Sequence, residues 1–170
     1  MTTTDTRPDP PRVGEQREQL DGFLDFLRSA VVLKATGLTD DQARRSLVPS
    51  KLTTISGLVS HLTYVEQYWF NVVLDGRPDP WQDRFTPEDP DAEFTAAAMI
   101  PITELIAAYE AECARSRAVA ARFELDATGH AAKGQPVNLR WVLIHMIEET
   151  GRHAGHLDLL RELLDGSTGE

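Results

Sequence analysis

From Asn138 to Gly166 the chain reads NLRWVLIHMIEETGRHAGHLDLLRELLDG, a stretch free of proline whose apolar residues recur at helical spacing. Asn138 is of the residue types that cap a helix amino end, and Gly166 of the type that stops one. At 100° per residue, Val142, Met146, Leu157, Leu160 and Leu164 fall within an arc of about 60°. A helix this long with a single apolar stripe needs partner helices of similar length to cover it. The stripe is not purely apolar, however. His145, Glu149, His153 and His156 lie on the same side or at its edge, whereas Glu148, Arg152, Asp158 and Arg161 lie further round.

Three more segments supply the partners. Helix 1 is predicted from about 14 to 36, with Leu20, Phe23, Leu24, Leu27, Val31 and Ala35 at spacings of three and four, and Gly37 as its stop. TDDQARRSL then carries a cap at Thr39 followed by acidic residues, which predicts a short helix before Pro49. Helix 2 is predicted from about 53 to 75, with Leu58, Leu62, Val65, Trp69, Val72 and Val73 on one face, ending at Gly76. Helix 3, from about 101 to 123, presents Ile102, Ile106, Tyr109, Cys113 and Ala120. Nothing alternates with a period of two for long enough to read as a sheet. The expected fold class is therefore all-α, a four-helix bundle. RPDPWQDRFTPEDPDAEF reads as an irregular connection, long enough to cross the bundle and let helices 2 and 3 run parallel. Residues 1–12, rich in Thr, Pro and Asp, read as a flexible tail, 13–166 as one domain, and 167–170 as a short carboxyl-terminal tail.

Composition narrows the function classes. Seventeen Lys and Arg against 27 Asp and Glu give a formal net charge of −10, which repels nucleic acid and anionic membrane surfaces. No apolar run approaches the roughly 20 residues of a membrane helix, and the first residues lack the apolar core of a signal peptide, so a cytoplasmic protein is expected. The lone cysteine, Cys113, excludes an internal disulfide and a cysteine metal cluster. Its place on the helix 3 stripe makes it a small core residue rather than a nucleophile.

Four polar groups on an inward stripe require compensation, because burying a carboxylate or imidazole without a partner costs several kcal/mol, on the order of 3–5 for a broken buried pair. A metal ion would supply it. Glu149 and His153, one turn apart, can both reach a single ion. On helix 2, SGLVSHLTYVEQYWF offers His61 at the margin of the apolar face. The competing reading keeps each histidine as a hydrogen-bonded core or rim residue.

Two runs, VPSKLTTISGLVSHLTYVEQYWF and the Asn138–Gly166 stretch, together resemble the mini-circle-protein branch of the DinB-like superfamily over nearly the whole chain. That resemblance implies a DinB-like four-helix bundle with a long link between helices 2 and 3, and a divalent metal held by one helix 2 residue and two from the last helix. Many members use three histidines; here Glu149 occupies the first position of the last-helix pair. The departure is similar to the His, Glu, His set of the mycothiol-dependent maleylpyruvate isomerase type. The ligands it implies are His61, Glu149 and His153. Zinc is the expected ion, with nickel, iron or manganese also accepted by such donors.

Superfamily relatives are S-transferases or isomerases that use low-molecular-weight thiols such as mycothiol or bacillithiol. The resemblance thus implies a metal-dependent thiol S-transferase whose partners are a small thiol and an electrophile. Three protein ligands leave a position open for a thiolate, whereas structural zinc sites are closed by four. His145 and His156 are candidates for orienting the ligands, and His156 also for acid or base work. Arg152 is a candidate for an anionic group of the substrate. Glu66, Tyr68 and Trp69 suit packing and hydrogen bonding between helices, and His130 a solvated loop. Two alternatives remain from the residues: a hydrolase with a metal-bound water, with Glu148 or His156 as base, and a non-catalytic metal-binding stress-response bundle. A homodimer through an exposed helix face is a further expectation of the resemblance.

Overall fold

Side-chain caps fix where the helices begin. Thr39, Thr54 and Asn138 each accept a hydrogen bond from a backbone N–H three residues on, at 3.3, 3.0 and 2.9 Å. In the computed structural model, which describes residues 7–130 and 134–168, these caps open three of the helices. The elements are α1 (Gln16–Ala35), α2 (Asp40–Ala43), α3 (Ile55–Glu66), α4 (Ala92–Ala96), α5 (Ile102–Ala120) and α6 (Leu139–Asp165). A π-helical segment, Gln67–Leu74, prolongs α3, and a 3-10 turn, Ala97–Met99, follows α4. Among the described residues the extended pairing is an isolated bridge between Thr128 and Asn138. The chain is all-α, as expected, and no described helix is long and apolar enough to cross a membrane.

Contacts between the long helices give their directions. Gln16 meets Arg140 and Lys34 meets Asp158, so α1 and α6 run parallel. Arg28 meets Glu66 while Val31 and Ala35 share a core cluster with Ile55 and Leu58, and Asp25 meets Arg117 while Val32 lines a cavity with Tyr109, which sets α3 and α5 antiparallel to α1. One core cluster gathers Leu58, Leu62, Ile102 and Tyr109, and a second gathers Phe70, Leu74, Val119 and Ala120. The amino-terminal halves of α3 and α5 thus meet, as do their carboxyl-terminal ends. These two helices are parallel, and the link between them crosses the bundle.

That link is not wholly irregular. Ala92–Ala96 forms α4, which turns Ala92 and Glu93 inward to 6% exposure each. Ser60 locks it down by donating from Oγ to the Glu93 carbonyl at 2.5 Å. Proline and acidic residues dominate the flanks, and they hide this single turn from a reading of periodicity.

The inward faces also differ from the sequence reading in detail. Phe23 is 49% exposed, and the inward stripe of α1 instead includes Arg28, between Leu24 and Val31, at 4% exposure. Arg28 forks onto Glu66, itself fully buried, with Nε to Oε1 at 2.7 Å and Nη2 to Oε2 at 2.6 Å. A guanidinium can be buried this way because the carboxylate matches its geometry and charge. On α5 the buried stripe runs through Leu105, Glu112, Ser116 and Val119 as well as Tyr109 and Cys113, with Glu112 accepting from Asn71 at 2.6 Å.

Residues 1–6 of the expected amino-terminal tail, and 169–170 at the other end, lie outside the described residues. Residues 7–12 lie along α1 instead of hanging free. The Arg7 guanidinium sits 4.3 Å from the centre of the Phe26 ring, and the Pro11 carbonyl accepts from Gln19 at 3.3 Å. Gly22 permits this, since a Cβ there would come within 2.7 Å of Pro11 Cδ. At the far end Gly166 closes α6 with φ +75°, a backbone conformation that costs glycine little.

Candidate metal centre and its surroundings

Because α3 and α6 run antiparallel, the first turns of one face the later turns of the other. His61 on α3 therefore meets Glu149 and His153 on α6. One ligand atom from each lies within 4.8 Å of the others. The side chains are 17%, 13% and 13% exposed, which leaves a mouth to solvent. Glu149 Oε1 lies within hydrogen-bonding distance of both imidazoles, 3.1 Å from His61 Nε2 and 3.1 Å from His153 Nε2. These hydrogen bonds, the one from His153 foremost, hold the Glu149 carboxyl well below the usual carboxylate range. Burial alone would lower the His61 pKa, but its bonds to Glu149 and Glu93 raise it overall.

Glu93 is the residue that periodicity does not reveal. Its Oε1 faces His61 Nδ1 at 3.0 Å, and Phe94 stacks on the same imidazole with ring centres 4.6 Å apart and planes 19° apart. A carboxylate on Nδ1 fixes the tautomer that keeps the proton there and leaves the Nε2 lone pair for a cation. The other Glu93 oxygen is buried without a hydrogen-bond partner. The donor set suits a divalent ion: two imidazoles and one carboxylate converge, and a second carboxylate stands behind the first imidazole.

The other candidates fall around this trio. His156 is exposed, with Nδ1 3.2 Å from His153 Nδ1; partial burial and the neighbouring His153 and Arg152 lower its pKa. Arg152 is 56% exposed, pairs with Glu148, and brings Nη1 to 3.7 Å from Glu149 Oε2. His145 makes its contacts with rings: it stacks on Trp141 at 5.0 Å and 18°, and meets Trp69 edge-on at 4.7 Å. It stands one turn from Glu149, in an aromatic cluster rather than against a ligand. Glu66 is taken by Arg28, and the exposed His130 ring packs over Gly76.

Cys113 lies elsewhere, between α1 and α5, and is 3% exposed. Burial, reinforced by the charge of Glu66, pushes its thiol up to about 12, so at neutral pH it is a protonated packing group. It borders a cavity of about 210 Å³ beside Arg28 and Tyr109. The Arg28 guanidinium there is already bonded to Glu66 and Asp25.

Comparison with known proteins bears on this arrangement. A family model for mycothiol-S-transferase matches residues 19–166, most of the chain and all four long helices save the first turn of α1. The chain belongs to the mycothiol-S-transferase family. The match spans all three members of the trio and also Glu93. A conserved protein from Enterococcus faecalis shares the fold, with a TM-score of 0.70 at 14% identity, covering 91% of this chain and 100% of that one. No curated protein sequence matches.

Proposed function

We propose that this member of the mycothiol-S-transferase family joins mycothiol, through its sulfur, to an electrophile, with His61, Glu149 and His153 holding a divalent ion. The observation that carries the reading is the trio itself: ligand atoms from two antiparallel helices within 4.8 Å, joined by no fourth His, Cys, Asp or Glu among the described residues. Three ligands suit a centre that must admit a substrate. A divalent ion bound there supplies the charge that favours the thiolate of a small thiol over its protonated form.

The chain's own residues do the rest. Glu93 and Phe94 hold the His61 ring so that Nε2 faces the trio. Glu149 brings negative charge between the two imidazoles and moderates the pull on the sulfur. His156, exposed and in contact with His153, is placed to accept the proton that the thiol gives up. Arg152, at the rim beside Glu149, offers a guanidinium to an anionic group on the incoming molecule. The nucleophile comes from outside, because Cys113 is buried and kept protonated.

The experiment is conjugation of mycothiol to monochlorobimane by metal-free and zinc-loaded protein, with metal content measured alongside. About one ion per chain is expected, lost for the most part in His61→Ala and in His153→Ala. Conjugation should follow the ion. Equal rates with and without it would overturn the reading, as would full occupancy in both folded variants.

A further inference from the structure

The seam between α3 and α6 does not end at the trio. Four residues beyond His61, about 6 Å along the helix axis, the α3 ridge reaches Val65 and then Tyr68 and Trp69, while α6 steps back from Glu149 through His145 to Trp141. Where the two ridges diverge lies a groove of about 480 Å³ lined by Tyr64, Tyr68, Trp69, Trp141, Val137 and Gln135. Its rings contact one another: Tyr68 meets Trp69 at 5.3 Å, and Trp69 meets Trp141 at 5.0 Å. The π-helical segment Gln67–Leu74 carries two of these aromatics, and departures of this kind from the α-helical ladder are frequent at functional sites. Trp141 remains 46% exposed despite its size, which leaves an aromatic face open beside a candidate catalytic centre.

The geometry points to this groove as the binding site for the second substrate, and to a planar, uncharged aromatic electrophile as its class. The assignment rests on the transferase reading of the trio. The groove's volume falls within the range of small-molecule clefts, roughly 300–1,000 Å³. Among the described residues none of the lining side chains is charged, and Gln135 is the one amide. An aromatic ring placed among these rings gains stacking contacts and apolar burial. Tyr64 and Val65 line the groove within one turn of His61, and His145, stacked on Trp141, stands one turn from Glu149, so the groove adjoins the trio along both helices. For a benzylic halide the step balances simply. The thiolate sulfur forms the new C–S bond, the carbon–halogen bond breaks, and halide leaves with the electron pair, the thiol's proton having gone to His156 or solvent.

The test uses the full chain loaded with zinc. Binding of 2-naphthylmethanol, an unreactive aromatic probe, is read by quenching of tryptophan fluorescence, and conjugation of mycothiol is compared for 2-(bromomethyl)naphthalene and iodoacetamide. Saturable quenching is expected, weakened about tenfold by Tyr68→Ala or Trp141→Ala and largely retained in Trp141→Phe. The same alanine variants should raise KM for the naphthyl halide about tenfold while changing kcat/KM for iodoacetamide less than twofold. Trp141 is half exposed, so its replacement leaves the core intact, and zinc content and circular dichroism verify this. Absence of quenching in the wild type, or an equal loss with both electrophiles at full zinc occupancy, would overturn the groove assignment and leave the transferase reading standing. Quenching sensitive to both variants in a protein that conjugates neither electrophile would support the groove and sink the transferase.

Discussion

Removing the Glu93 carboxylate should loosen the metal without unfolding the bundle. Glu93 contributes no atom to the trio, yet its Oε1 is 3.0 Å from His61 Nδ1 and the residue is 6% exposed, so water does not readily take its place. Partners of this kind are worth about 10–100-fold in metal affinity. Glu93→Gln keeps an acceptor oxygen for Nδ1–H and loses only the charge, so it belongs at the low end, about tenfold or roughly 1.4 kcal/mol. Glu93→Leu removes acceptor and charge together and frees the imidazole to change tautomer, which puts it near 100-fold, about 2.7 kcal/mol. The assay is competition for zinc against a chromophoric chelator at fixed pH, with circular dichroism to verify the fold. Retention of zinc within twofold of wild type by a folded Glu93→Leu protein would show that the contact does not govern the site.

Arg28→Ala strands the fully buried Glu66 carboxylate and should cost about 3–5 kcal/mol in urea denaturation, whereas Arg28→Met combined with Glu66→Leu should recover most of that loss. If the single variant loses under 1 kcal/mol, roughly what an exposed pair is worth, the pair is not a structural element of the core. Glu149→Gln should weaken zinc retention because an amide is a poorer ligand, while Glu149→His should keep the ion; the same chelator competition decides, and equal retention by both would count against a metal role for Glu149. Cys113→Ala should lower stability by about 1 kcal/mol and leave mycothiol conjugation unchanged, and native protein should resist Ellman's reagent at pH 8 because the thiol lies at about 12. Rapid labelling of the folded protein would contradict the burial.

Local physics is sufficient for much of this molecule. Helical period, caps at Thr39 and Asn138, and the stop at Gly166 are properties of neighbouring residues, so the long helices and their ends can be read directly from the chain. The in-register Glu149 and His153, with His61 at the edge of a second apolar face, were legible for the same reason: a helix fixes which side chains share a side. What depends on approach between distant segments was not legible. Glu93 sits among prolines and acidic residues, and only the docking of α4 on α3 brings it to His61. Glu66 was legible as a residue for packing and hydrogen bonding between helices, but its partner was not: Arg28 looks like a surface residue until antiparallel packing of α1 and α3 sets its fork against that carboxylate. The aromatic groove likewise needs distant segments to meet, since its lining comes from Tyr64 to Trp69 on one side and from Gln135, Val137 and Trp141 on the other. Sequence determined the helices and the donors one turn apart, since those are set by 3.6-residue geometry; tertiary structure decided which carboxylate faces His61 and which rings line the groove between α3 and α6, since those are set by which helices meet.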